Sequence, residues 1–96
     1  MSDLPKYVSR NLEDLIPCWL IHLLWMLWAE IPKKQRGKVQ YFYLAVREGK
    51  QQVRLEQPIP LYERTICLAS PEPLDAVVVI TETATGITMH LINEPR

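Results

Sequence analysis

The side chains with the most reactive chemistry in this chain of 96 residues are two cysteines and two histidines: Cys18, His22, Cys67 and His90. Two thiolates and two imidazoles would make a tetrahedral zinc site. Cys18 and His22 lie one helical turn apart, so a helix would place both on one face. Cys67 and His90 stand alone on predicted strands, and the C-x₂₋₄-C pairs typical of zinc sites are absent. The sequence therefore predicts buried, inert cysteines, a half-buried histidine and no metal ion.

Nucleophilic catalysis would pair one of these thiols with a histidine base. Trp19 and Leu20 favour burial of the neighbouring Cys18, and no third side chain that would orient the base is evident. The scattered carboxylates resemble a solvated surface, and the sequence has only three glycines and no glycine-rich loop for phosphate. We therefore expect no enzyme activity, no catalytic residue and no cofactor.

Four cations fall in one short loop: Lys33, Lys34, Arg36 and Lys38. Aromatic residues follow at 41–43, so the region superficially resembles a surface where cations meet phosphates and rings stack on bases. Cations after a helix also offset the negative end of its dipole. Eleven basic residues against eleven acidic ones give a net charge of zero, which excludes a bulk polycation wrapped on nucleic acid. Nucleic-acid contact through this loop is thus the alternative function.

Cys18 and His22 are positioned by a predicted helix over about residues 17–30. Proline has a preset φ and no amide hydrogen, so Pro17 fits the first turn of a helix. Ile31-Pro32 ends the helix, because a residue before proline resists helical geometry. The apolar stretch is too short for a membrane span, which needs about 18 to 20 apolar residues. We therefore expect no contact with a membrane.

This helix is apolar around its whole circumference, with His22 as its one conventional polar residue between positions 18 and 29. At about 100° per residue, one stripe comprises Leu20, Leu24, Leu27, Trp28 and Ile31. The opposite half comprises Trp19, His22, Trp25 and Met26, flanked by Cys18 and Ala29. A single sheet covers only one stripe. Either a curled sheet or the N-terminal segment covers the second half, or that half is a protein interface, for which a symmetric dimer is the commonest form.

Alternating patterns and aromatic or β-branched residues predict the strands 39–46, 51–56, 62–68, 76–80 and 87–91. Residues 6–10 form a short extended lead, after which Asn11 can cap a helical turn. The prediction is one domain over 1–96 of the α+β class, with the apolar helix packed on an antiparallel sheet of about five strands. Two cysteines are too few for a disulfide scaffold, and the first residues lack the order of a signal peptide, so we expect a cytoplasmic protein.

The order of several short motifs resembles a known family. The motifs are Tyr7-Val8-Ser9-Arg10, Ile16-Pro17, Leu23-Leu24-Trp25, Gln40-Tyr41-Phe42 and Gln57-Pro58-Ile59-Pro60-Leu61-Tyr62. From about Tyr7 to Leu91 the chain resembles the domain-of-unknown-function family 960, small proteins of Firmicutes found in chromosomes, prophages and other mobile elements. That family has no assigned activity, so the resemblance implies no catalytic residue. It implies a bacterial or phage protein of the host cytoplasm that acts by binding.

The residues and the resemblance together lead to one hypothesis of function. We expect a non-enzymatic module that uses the helix half with Trp19, His22, Trp25 and Met26 for homodimerisation or for capture of another protein. In a phage-borne protein, the partner would be a host defence or regulatory protein such as a CRISPR effector. The alternative is a nucleic-acid accessory protein that contacts phosphates through residues 33–38.

Overall fold

The computed structural model describes residues 4–93. Its elements follow the order β1 (Lys6–Val8), α1 (Arg10–Leu15), α2 (Cys18–Glu30), a 3₁₀ turn (Lys33–Gln35), β2 (Val39–Arg47), β3 (Lys50–Gln57), β4 (Tyr62–Leu68), β5 (Ala76–Glu82) and β6 (Ile87–Leu91). One main helix packs on one sheet, which confirms the predicted α+β class.

The sheet has six strands in the order β1-β6-β5-β2-β3-β4, one strand more than predicted. The extra strand is β1, which comes from the extended lead and pairs parallel to β6, with Val8 opposite Met89. The other four pairings are antiparallel. The sheet is therefore mixed, because one short parallel strand is added at its edge. Three residues are too few to show an alternating pattern, so periodicity could not reveal this strand.

The two helices begin at residues other than those predicted. Ser9 caps α1, and its Oγ accepts a hydrogen bond of 3.2 Å from the Leu12 amide, so α1 starts ahead of Asn11. Pro17 is the N-cap of α2 and not its first helical residue, and its carbonyl oxygen accepts from the Leu20 amide at 3.0 Å. At the other end Ile31 is extended with ψ 123°, the geometry that a following proline favours. The bounds of α2 otherwise agree with the prediction.

The core lies between α2 and one face of the sheet. From α2 it receives the predicted stripe: Leu20, Leu24, Leu27, Trp28 and Ile31, all of which are buried. From the sheet it receives Phe42, Leu44, Val53, Leu55, Val78, Ile80, Ile87 and Met89, which are buried as well. Each fully buried side chain of this size contributes about 1.5–3 kcal/mol relative to an exposed one. Alternate strand residues point to the opposite side of the sheet, which we call the open face.

Three glutamines lie buried among these apolar side chains: Gln40, Gln51 and Gln57. The Gln57 amide group makes four hydrogen bonds. Its Oε1 accepts from the Gly37 amide at 2.7 Å and from Nε2 of Gln40 at 2.8 Å, and its Nε2 donates to the carbonyl oxygens of Gln35 at 2.7 Å and Pro60 at 2.6 Å. A buried amide is tolerated when its polar atoms are paired in this way. Gln57 thus ties two loops to the end of β3.

Gln51 likewise ties a loop to β3, at the other end of the strand. Its Oε1 accepts from the Leu74 amide at 2.9 Å, while its Nε2 donates to the Leu74 carbonyl oxygen at 3.1 Å. The side chain therefore pairs with Leu74 as a neighbouring strand would. This contact fixes the loop that precedes β5 against the core.

We predict that Gln57→Leu lowers the free energy of unfolding by about 3 kcal/mol, because it leaves two N–H donors and two carbonyl oxygens without their partner. Urea denaturation followed by circular dichroism measures this loss. Gln52→Leu is the matched control on the same strand. Gln52 is half-buried on the open face, so we expect that change to cost less than about 0.5 kcal/mol. Equal losses in the two variants would contradict the role assigned to Gln57.

The β2–β3 hairpin closes through a two-residue turn at Glu48 and Gly49. Both residues have positive φ, 53° and 76°, which is the geometry of a type I′ turn. Glycine adopts it readily, whereas glutamate is strained there.

We predict that Glu48→Asn raises the free energy of unfolding by about 0.5–1 kcal/mol, since asparagine tolerates the left-handed conformation. Gly49→Ala should change stability in the opposite direction, by about 1 kcal/mol. Thermal unfolding of both variants measures the two shifts. A stabilising Gly49→Ala would show that the turn has another conformation in solution.

Candidate functional site

The half of α2 that faces away from the sheet forms an exposed apolar strip, which we call the outer face. Trp19 is 39% exposed and Met26 is 59% exposed, and His22 between them is exposed as well. The N-terminal lead forms β1 at the edge of the sheet, and its residues Leu4 and Lys6 border this face in a groove with Met26 but leave Trp19, His22 and Met26 exposed. Within residues 4–93, the outer face is therefore open to solvent.

Trp25 belongs to the outer face only in part. It is half-buried, and its ring meets the ring of Trp28 edge-on, with centroids 5.6 Å apart and planes at 89°. This geometry suits the quadrupoles of two aromatic rings. A substitution of Trp25 would therefore disturb the core as well as the surface, so Trp19, His22 and Met26 are the better probes of the outer face.

A groove of about 650 Å³ runs beside the C-terminal half of α2, and we call it the basic groove. Its apolar lining comes from Leu4, Trp25, Met26, Trp28, Ala29 and Ile87. Its charged lining comes from Lys6, Lys33, Arg36 and Glu82, with His22 at one side. The described residues therefore place three cations and a single carboxylate around an aromatic floor.

Arg36 builds one wall of the basic groove and caps α2 at the same time. Its guanidinium lies 3.9 Å from the centroid of the Trp28 ring. Its Nη2 donates to the carbonyl oxygens of Ala29 at 3.1 Å and Ile31 at 2.9 Å. Burial lowers the pKa of Arg36, an effect that the carboxylate of Glu82 partly opposes. In the alternative function Arg36 was a possible contact to nucleic acid; in the structure its planar group also satisfies carbonyl oxygens at the helix end.

The remaining cations of this loop divide into two groups. Lys38 is paired, since its Nζ lies 3.1 Å from Oε2 of Glu82. Lys33 and Lys34 are exposed, and Lys33 lines the basic groove. The loop also passes close to another segment, because a Cβ added to Gly37 would lie 2.2 Å from the carbonyl oxygen of Ile59. Only glycine fits this position without displacing the backbone.

A second groove, of about 460 Å³, lies at the N-terminal end of α2, and we call it the acidic groove. Among residues 4–93, its charged lining residues are Glu13, Asp14 and Glu72, without a cation. Trp19 and Leu15 supply apolar surface next to these carboxylates. The outer face of α2 therefore extends between one acidic and one basic depression.

The reactive side chains discussed first are spread over the molecule. Cys18 and Cys67 are both exposed, so the prediction of buried cysteines is wrong. Cys18 is the first residue of α2, and Cys67 lies on the open face of β4, an edge strand of the described sheet. His90 is half-buried on the open face, with Nδ1 3.1 Å from the Leu91 carbonyl oxygen. No group of three or more potential metal ligands occurs within the described part of the chain.

The aromatic residues of β2 point in two directions. Phe42 is fully buried in the core, whereas Tyr41 and Tyr43 lie on the open face with their ring centroids 6.3 Å apart. The guanidinium of Arg54 lies 4.4 Å from the Tyr43 centroid. Burial raises the pKa of Tyr43, and the nearby carboxylate of Glu56 adds to the rise. These rings therefore do not join the lysines beside α2 in one strip.

We predict that Arg36→Lys lowers the free energy of unfolding by about 1–2 kcal/mol although it keeps the positive charge, because an ammonium group cannot both stack on Trp28 and donate to two carbonyl oxygens. Lys34→Arg, an exchange of cations at an exposed neighbour, should leave stability unchanged. Urea denaturation tests both. An unchanged Arg36→Lys variant would mean that charge alone stabilises the end of α2.

A solved structure shares the fold of this chain. No family model matches the chain, and no curated protein matches it in sequence. The chain is similar to the crystal structure of a protein of unknown function from Enterococcus faecalis, with a TM-score of 0.80 and 22% sequence identity. That likeness covers 100% of this chain and 94% of the other. Among the described residues, no helix is long and apolar enough to cross a membrane. The chain thus shares its whole α+β architecture with a solved structure.

Proposed function

We propose that this protein is a non-enzymatic protein-binding module and that the outer face of α2 is its contact surface. The observation that carries this proposal is the exposure of Trp19 and Met26 on a helix whose opposite stripe is already buried. Tryptophan and methionine are enriched in the cores of protein interfaces. A contiguous apolar surface of this kind is an aggregation hazard unless a partner covers it.

The shape of the surface supports the same proposal. His22 and Met26 line the basic groove, and Trp19 lines the acidic groove, so the strip is continuous with a depression at each end. Binding would bury these side chains in a desolvated centre, with the charged groups of the grooves as a polar rim.

For nucleic-acid contact, the alternative function, fewer of the four loop cations are available than the sequence predicts. Arg36 donates to the end of α2 and Lys38 is paired with Glu82, so two of the four cations are engaged within the chain. Lys33 and Lys34 remain as exposed cations for phosphate. Contact with phosphate through two lysines would be weak and strongly dependent on salt.

The proposal extends to the setting that the family resemblance implies. We place the protein in the cytoplasm of a bacterial cell, encoded by the chromosome or by a phage. In a phage-borne protein, the partner would be a host defence or regulatory protein such as a CRISPR effector.

Capture of partners from a bacterial lysate by the immobilised protein tests this function. We predict that partners bound by the wild-type chain stay bound at high salt and are lost with Met26→Glu. Glutamate is a good helix former and the site is exposed, so this variant should fold normally. Its matched control is Ile59→Glu, because Ile59 is 81% exposed and lines neither groove.

The same experiment separates the two functions. Retention that falls steeply with salt, is lost with Lys34→Glu and is unaffected by Met26→Glu would favour nucleic acid and contradict the proposal. Equal losses with Met26→Glu and Ile59→Glu would show that the apolar strip has no specific role.

A further inference from the structure

We infer that the outer face of α2 binds a second copy of this chain, with the two α2 helices antiparallel about a two-fold axis. This inference rests on the proposed function and names the partner of the same surface. The outer face has opposite charges at its two ends, and a self-complementary pattern of this kind matches a copy of itself turned by 180°.

The charge pattern is fixed by the elements that flank α2. Before its N-terminus, Glu13 and Asp14 are exposed on α1, and Glu72 faces them across the acidic groove. After its C-terminus, Lys33 and Lys34 are exposed. Between the two ends, His22 is the only ionisable side chain of the apolar strip Trp19–Met26.

The spacing of these groups suits an antiparallel pair. The 13 residues of α2 span about 20 Å at 1.5 Å per residue. A two-fold axis near the middle of α2, between His22 and Met26, brings the acidic end of each copy against the basic end of the other. Both contacts are then attractive, and the two helix dipoles oppose each other. A parallel pair would instead place acid against acid and base against base.

The two grooves also complement each other in apolar surface. Leu15 is 52% exposed and lies with Trp19 beside the carboxylates of the acidic end. The basic groove has Trp25, Met26 and Trp28 among its three cations. An apolar segment that carries carboxylates is the kind of ligand that such a groove accepts. The residues around Leu15 of a second copy have this chemistry.

Other partners match only one end of the strip. A nucleic acid or an anionic lipid surface would be attracted by Lys33 and repelled by Glu13, Asp14 and Glu72. A basic peptide would be attracted by these carboxylates and repelled by Lys33. A second copy matches both ends at once, and burial of the apolar strip joins the two charged contacts in one interface.

The test uses two charge-reversed variants of the full chain in sedimentation velocity at low salt. One variant is Lys33→Glu/Lys34→Glu, and the other is Asp14→Lys/Glu72→Lys. We expect the wild-type chain to be a dimer and each variant alone to dissociate at least tenfold more readily, because like charges meet at both contacts. An equimolar mixture of the two variants should form dimers with wild-type strength, since opposite charges then face each other again. All four positions are exposed, and circular dichroism verifies that the variants fold.

Three outcomes would overturn the inference. The first is a wild-type chain that stays monomeric up to about 1 mM. The second is a dimer that neither reversal weakens, which would place the interface elsewhere. The third is a mixture that does not recover, which would exclude the antiparallel arrangement. The proposed function is judged separately: a monomer that still captures a foreign protein, and loses it with Met26→Glu, retains that function without self-association.

Discussion

One buried amide, that of Gln57, holds in place the parts of this structure on which its surface depends. It stands at the end of β3 and ties the segment from Gln35 to Gly37 to the loop at Pro60. Because both neighbours of Arg36 are fixed in this way, the guanidinium reaches back over Trp28 and donates to the end of α2. The wall of the basic groove and the cap of the helix are therefore consequences of a polar contact in the core. A flexible loop at this place would leave Trp28 uncovered and the helix carbonyls unpaired.

The second constraint is how much of a helix surface one sheet can cover. A single sheet covers one stripe of a helix, and the described part of this chain has only one main helix to cover the sheet. The core is accordingly complete on one side of α2, while Trp19 and Met26 remain on the other. The whole chain has a net charge of zero. Beside this strip, however, the charges are separated in space, with carboxylates before α2 and lysines after it. A chain without net charge can therefore present an oriented, charge-separated surface.

The sequence reveals those features that repeat along an element. The period of α2 identifies its buried stripe from Leu20 to Ile31 residue by residue, and the prolines on either side mark its ends. Features that depend on contacts between residues far apart in the sequence cannot be predicted from such patterns. Gln57 looks like a surface residue because glutamine is usually exposed, and its burial follows only from the loops that meet there. Arg36 was recognised as a cation after a helix, but its stacking on Trp28 needs the fold. Cys67 was expected to be buried because free cysteine usually is, yet it lies exposed on an edge strand of the described sheet.

The position of β6 has a consequence for how the chain is made. Among the described elements, β6 is the sheet partner of β1, and the amide of Ser9 at the start of α1 donates to the Met89 carbonyl oxygen at 3.0 Å. The first strand is thus synthesised long before its partner exists, because more than seventy residues separate the two. During synthesis, α2 and the hairpin of β2 and β3 can assemble from residues that are close in sequence. At that stage β1 does not yet have β6 to pair with. β6 therefore completes the described sheet by inserting between β1 and β5, so β1 finds its partner only after residues 87–91 have been made.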